Sequence, residues 1–129
     1  MILCPQFDLS EQELSWLTAY LEHGGGILYV CGYASPAELP RFAALLGRYG
    51  LSVRQGIVVA SGEDATSYLS ETPTTLLPYM QAVPETQELL RNSQDILAMP
   101  GTRAVEISDE RATDIYAESL LKSGDAYLR

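Results

Sequence analysis

A helix with both ends written into the sequence runs straight into an apolar strand, and this unit constrains the fold more than any other feature of the chain. Ser10 suits an N-cap, and Glu13 three residues later completes a capping box. Leu9 and Leu14 flank the cap at the hydrophobic-staple positions. Leu14, Leu17 and Leu21 recur at i, i+3 and i+7, an apolar stripe that Trp16 and Tyr20 widen. Gly24 stops the helix, and a protonated His23 in its last turn favours the negative end of the helix dipole. Ile27-Leu28-Tyr29-Val30-Cys31 then reads as a buried strand.

A similar apolar run, Met1-Ile2-Leu3-Cys4-Pro5, reads as a strand ahead of that helix. A second helix follows Tyr33. Its start is either Ser35, as a cap, or Pro40, at the first helical position. Leu39, Phe42, Leu46 and Tyr49 form its buried face, and Gly50 closes it. A third strand centres on Ile57-Val58-Val59-Ala60, where β-branched residues cluster. Strand–helix alternation with short connections predicts parallel strands joined by right-handed crossovers. The expected class is therefore α/β, a three-layer, mostly parallel, flavodoxin-like sheet with an irregular, β-rich second half. In that half Ser61 to Thr75 reads as a polar loop and Leu76 to Val83 as extended chain. Pro84 to Arg91 reads as a short helix, with alternating strands at Ala104 to Ile107 and over residues 113–121. The 129 residues suit a single domain over 1–129. A strand at the first residue and a stop soon after the last are what a domain excised from a longer membrane-anchored protein would show.

Charge and composition narrow the function classes. Lys and Arg number 8 against 17 Asp and Glu, a net charge of -9 that repels phosphate backbones and anionic membrane surfaces. Nucleic acid is therefore not expected as a partner. No apolar run approaches the ~18 residues that a membrane-spanning helix requires. One histidine (His23), two cysteines (Cys4 and Cys31) and one lysine (Lys122) leave few groups for acid–base, nucleophilic or zinc chemistry. Cys4 and Cys31 either pair in an oxidising compartment or sit as small buried hydrophobes. Gly24-Gly25-Gly26 stands after a helix and before a strand, the reverse of a phosphate-binding loop.

Cys31 is the sharpest candidate nucleophile, at the end of its strand. A nucleophile elbow needs glycines two before and two after it, and those places hold Tyr29 and Tyr33. His23 precedes the strand that Cys31 follows. Five or six extended residues span roughly 17–20 Å, whereas a general base must approach to within about 3 Å. The carboxylate pairs Glu11/Glu13, Glu63/Asp64 and Asp109/Glu110 read as a helix's first turn and as solvated loops. No catalytic residue, metal or cofactor is expected, and the chain reads as not an enzyme. If a small molecule or peptide binds, the default place is the crevice past the C-terminal ends of the first two strands, at Gln6, Phe7, Gly32 and Tyr33.

Three segments carry a family resemblance. Asp8-Leu9-Ser10-Glu11-Gln12-Glu13-Leu14, with Tyr20-Leu21-Glu22-His23-Gly24-Gly25-Gly26-Ile27-Leu28-Tyr29-Val30, resembles a recurrent stretch of glutamine-amidotransferase-like domains. Leu45-Leu46-Gly47-Arg48-Tyr49-Gly50-Leu51-Ser52-Val53 and Leu120-Leu121-Lys122-Ser123-Gly124-Asp125-Ala126-Tyr127 are similar to later segments of the GldG-like family, the gliding-motility-associated auxiliary components of uncharacterised bacterial ABC-type transport systems. The resemblance implies a flavodoxin-like domain on the extracytoplasmic side of the cytoplasmic membrane. It further implies a non-enzymatic binding or interaction role beside the permease and ATPase subunits of an ABC transporter. The chain departs from the family at Cys31-Gly32, where relatives carry an acidic residue and then proline, and no catalytic residue is carried over. The alternative is an amidotransferase-like or other hydrolase whose catalytic parts lie outside this fragment. A third reading, a homo-oligomerisation module, follows from the edge strand that a partial sheet exposes.

Overall fold

The structure is a computed structural model and describes residues 1–33, 38–61, 68–69, 72–91, 96–109 and 111–129. In chain order its elements are β1 (Ile2–Leu3), α1 (Glu11–Glu22), β2 (Tyr29–Val30), α2 (Pro40–Arg48), β3 (Leu51–Val53), β4 (Val58–Ala60), β5 (Tyr68–Leu69), β6 (Thr72–Leu76) and β7 (Tyr79–Met80). A 3-10 turn (Pro84–Thr86) then leads into α3 (Gln87–Arg91), followed by β8 (Met99–Pro100), β9 (Val105–Ile107), β10 (Leu121–Lys122) and β11 (Ala126–Leu128). Two compact units share these elements. One holds Met1–Gln55 with Val105–Ala117, the other Gly56–Ala104 with Glu118–Arg129. Among the described residues, no helix is long and apolar enough to cross a membrane.

In the first unit, α1 forms with the capping box the sequence predicts. The Glu13 N–H donates to Ser10 Oγ at 3.2 Å, while the Ser10 N–H and hydroxyl donate to Glu13 Oε2 at 2.8 and 2.7 Å. At the other end, Gly24 takes the left-handed φ of 84°. The Gly24 N–H reaches the Leu21 carbonyl and the Gly25 N–H the Tyr20 carbonyl, both at 2.9 Å. These two bonds form a Schellman motif, so both ends of α1 are satisfied locally. Leu14, Leu17 and Leu21 pack on the core of Leu9, Phe42 and Leu45, but Trp16 and Tyr20 lie outside the expected stripe at 63% and 52% exposure.

α2 starts at Pro40, and the Ser35 alternative lies outside the described residues. Its N-cap residue, Leu39, has no side chain able to accept a hydrogen bond, and Asp8, 33 residues before Arg41, supplies the acceptor to the Arg41 N–H. The core joins α2 to the strands through Phe42, whose ring centroid lies 5.4 Å from that of Tyr29 at a tilt of 37°.

The doubly wound, flavodoxin-like parallel sheet expected from the sequence is not formed. Among the described residues, β1–β2 is the one parallel pair, with Ile2 opposite Tyr29 and Leu3 opposite Val30. After α2 the chain does not return beside β2. It enters β3, which pairs antiparallel with β9 (Leu51 with Ile107, Val53 with Val105). The expected third strand, β4, pairs antiparallel with β11. The reason lies in the burial each strand can support. An interior parallel strand is covered on both faces and needs a continuous apolar run. Leu51-Ser52-Val53 alternates instead, with Ser52 exposed, and suits a half-covered antiparallel pair.

The second unit is more β-rich than expected. The stretch taken as a loop contains β5 and β6, which form a three-stranded antiparallel sheet with β8. β4 is buried along its whole length, and Val58 and Ala60 pack with Leu76, Tyr68 and Ala104. β10 pairs with β7, and residues 115–119, expected within a strand, are not in one. Among the described residues of this unit, Thr86 is the buried polar one, at 5% exposure. Its hydroxyl donates to the Gln81 carbonyl and accepts the Val83 N–H at 3.3 Å.

Candidate functional site

The parallel β1–β2 ladder sets the geometry at its C-terminal end. The Ile2 N–H donates to the Leu28 carbonyl at 2.8 Å and the Cys4 N–H to the Val30 carbonyl at 2.7 Å. Because the strands run the same way, Cys4, Gln6 and Phe7 leave the ladder at the same end as Cys31, Gly32 and Tyr33. Cys4 adopts a φ of 41°, the one left-handed conformation of a non-glycine residue among those described. This turns the chain out of β1 directly before Pro5, and the Gln6 amide donates back to the Cys4 carbonyl at 3.1 Å. Phe7 and Tyr33 are 86% and 72% exposed. The candidate ligand residues Gln6, Phe7, Gly32 and Tyr33 are thus brought to one end of one strand pair.

Beneath this edge lies a feature that sequence reasoning missed. An apolar groove of about 360 Å³ opens in the first unit, walled by Leu21, Tyr29, Phe42, Leu46, Val53 and Val105, with Cys31 at its lining. Among the described residues, no charged side chain lines it. It exists because Val53 and Val105 are cross-strand partners on one face of the β3–β9 pair and turn toward the side on which Phe42 and Leu46 lie. The alternation of Val105 and Ile107 was the available signal, but the pairing of Val105 with Val53 across more than fifty residues was not. A second, more polar hollow between α1 and α2 is bridged by Arg48, whose guanidinium donates to Thr18 Oγ1 at 3.2 Å.

The candidate catalytic groups fall apart in space or into structural roles. His23 caps α1, its Nδ1 2.7 Å from the Ala19 carbonyl. A carbonyl can only accept, so Nδ1 carries the proton. The imidazole stands at the entrance to β2 and the Cys31 thiol at its exit. Neither cysteine is in a disulfide; Cys4 is exposed, against the buried-hydrophobe reading, and Cys31 is half-buried. Glu13 belongs to the capping box, where the Ser10 N–H and then the Ser10 hydroxyl hold its carboxyl below its ordinary range. Glu11 lies 3.8 Å from Arg41. Glu63, Asp64 and Glu110 lie outside the described residues. Among the described residues, no group of three or more His, Cys, Asp or Glu side chains is placed to hold a metal ion. The chain matches no protein-family model, and comparison with curated proteins and with solved structures finds no similar sequence or fold.

Proposed function

We propose that this chain is a non-enzymatic binding domain that serves an ABC-type transport system from the extracytoplasmic side of the membrane. The observation that carries the binding role is the uncharged, apolar groove beside the β1–β2 edge. Apolar side chains of a partner gain most from such a surface, because burial removes the walls from water without stranding a charge. The transport setting rests on the three resembling segments, which form α1 to β2, the end of α2 with β3, and β10 to β11. On that side of the membrane the reachable partner is the permease rather than the ATPase. A net charge of -9 further favours a permease loop in which basic residues flank the apolar ones.

The test is a titration of the purified domain against an ABC-type permease–ATPase complex from the same source, reconstituted in lipid nanodiscs. Leu28 and Val105 are 59% and 58% exposed at the groove and can be changed without opening the core. Leu28→Asp and Val105→Asp are expected to weaken binding by at least about tenfold, the factor that corresponds to about 1.4 kcal/mol, with unchanged melting. Absence of binding by the unaltered domain, or binding indifferent to both substitutions, overturns the proposal.

A further inference from the structure

We infer that Cys4 and Cys31 are an oxidation site, closing to a disulfide that clamps β1 to β2. The ladder supplies the geometry. Ile2 faces Tyr29 and Leu3 faces Val30, the Cys4 N–H still bonds the Val30 carbonyl, and Cys4 and Cys31 are the next residues along the two chains as they leave this ladder. Neighbouring strands lie about 4.8 Å apart, inside the roughly 4.4–6.8 Å between Cα atoms that a disulfide spans.

Two local features bear on closure. Cys4 has a left-handed φ of 41°, off the regular strand geometry, and its thiol lies beside Gly32, the residue after Cys31. A Cβ placed on Gly32 would lie 3.5 Å from Cys4 Sγ, so glycine at that position leaves the sulfur room to move. Cys4 is also exposed, which lets an external oxidant reach it first.

The chemistry is exchange with a small-molecule disulfide such as oxidised glutathione. The Cys4 thiolate attacks one sulfur of the oxidant, whose S–S bond breaks and releases one thiolate. The Cys31 thiolate then attacks Cys4 Sγ and expels the second. The protein loses two electrons and two protons, and the oxidant leaves as two thiols. The inference concerns the ladder alone and does not depend on the transport role.

The test treats the folded protein with oxidised glutathione, quenches with acid and maps peptides by mass spectrometry. The expected product is a monomer lighter by two hydrogen atoms, with the Cys4 and Cys31 peptides joined. Its equilibrium yield against glutathione should exceed that of the urea-unfolded chain by at least tenfold, because the fold holds the thiols together. Cys4→Ser and Cys31→Ser each remove it. A stable glutathione adduct on Cys4, a disulfide-linked dimer, or an intramolecular yield no greater than in urea overturns the inference.

Discussion

Asp8 caps a helix it does not belong to: its carboxylate accepts the Arg41 N–H at 3.0 Å and the Phe42 N–H at 3.2 Å, at the start of α2. The Arg41 guanidinium reaches back to the Leu9 carbonyl at 3.1 Å and to the Asp8 carboxylate at 3.7 Å. The segment before α1 is thereby tied to α2 at the same place where Leu9 enters the core.

Replacing Asp8 therefore acts on α2. Asp8→Ala is expected to lower stability by about 1–2 kcal/mol, the cost of losing a good N-cap. Asp8→Asn should cost less, because an amide oxygen still accepts both N–H groups. Arg41→Met should cost less than Asp8→Ala, since its ion pair is partly exposed and contributes little. Urea unfolding of the three variants tests this order.

The capping box of α1 gives a pH dependence with a definite sign. Hydrogen bonds from Ser10 lower the Glu13 carboxyl below its ordinary 4.5. A folded-state value below the unfolded one means the contribution is complete above the ordinary carboxylate range and is lost as pH falls through the lowered value. Glu13→Gln is expected to remove this component, so the difference between it and the parent shrinks in acid. Ser10→Ala should cost about 1 kcal/mol near neutrality. Helicity and urea midpoints measured from neutral to acid pH check both.

Thr86 is buried with its hydroxyl used twice, toward the Gln81 carbonyl and the Val83 N–H. Thr86→Val keeps the shape and removes the hydroxyl's two bonds, leaving the Val83 N–H and the Gln81 carbonyl their mutual bond of 3.0 Å. A loss of about 1 kcal/mol is expected, the net contribution of a buried hydrogen bond. Thr86→Ser, which retains the hydroxyl, should recover most of it. Thermal melts of the two variants distinguish a hydrogen-bonding role from simple packing.

Gly56 has a φ of 88°, and a Cβ there would collide with the Arg129 carbonyl. That carbonyl accepts the Ile57 N–H at 3.0 Å, and the Arg129 N–H returns a bond of the same length to Ile57. Gly56→Ala is expected to destabilise the β4–β11 pair by more than about 1 kcal/mol, from strained dihedrals and the forced shift together. Hydrogen exchange at Ile57 and Arg129 should quicken accordingly.

Legibility from sequence follows the range over which each signal acts. α1 was readable because Ser10, Glu13 and Gly24 state its ends within a few residues, whereas local rules offered both Ser35 and Pro40 as the start of α2, and the helix begins at Pro40. The β1–β2 edge, with Gln6, Phe7, Gly32 and Tyr33 at one end, followed from two apolar runs around a helix. The fold class failed at Leu51–Val53. Three residues are too few to show a period, and without that strand the alternation of helices and strands implied a parallel return that does not occur. The groove was hidden for the same reason, since Val53 lines it only after pairing with Val105, a partner that no nearby residue announces.

The pairing of β11 with β4 also orders events during synthesis. Val58, Val59 and Ala60 emerge from the ribosome well before Ala126–Leu128, which alone complete their ladder. Until those residues clear the exit tunnel, the nascent chain carries an apolar strand without its β11 partner, of the kind that chaperones hold and aggregates recruit. Productive folding of the second unit therefore waits for Ala126–Leu128 to emerge.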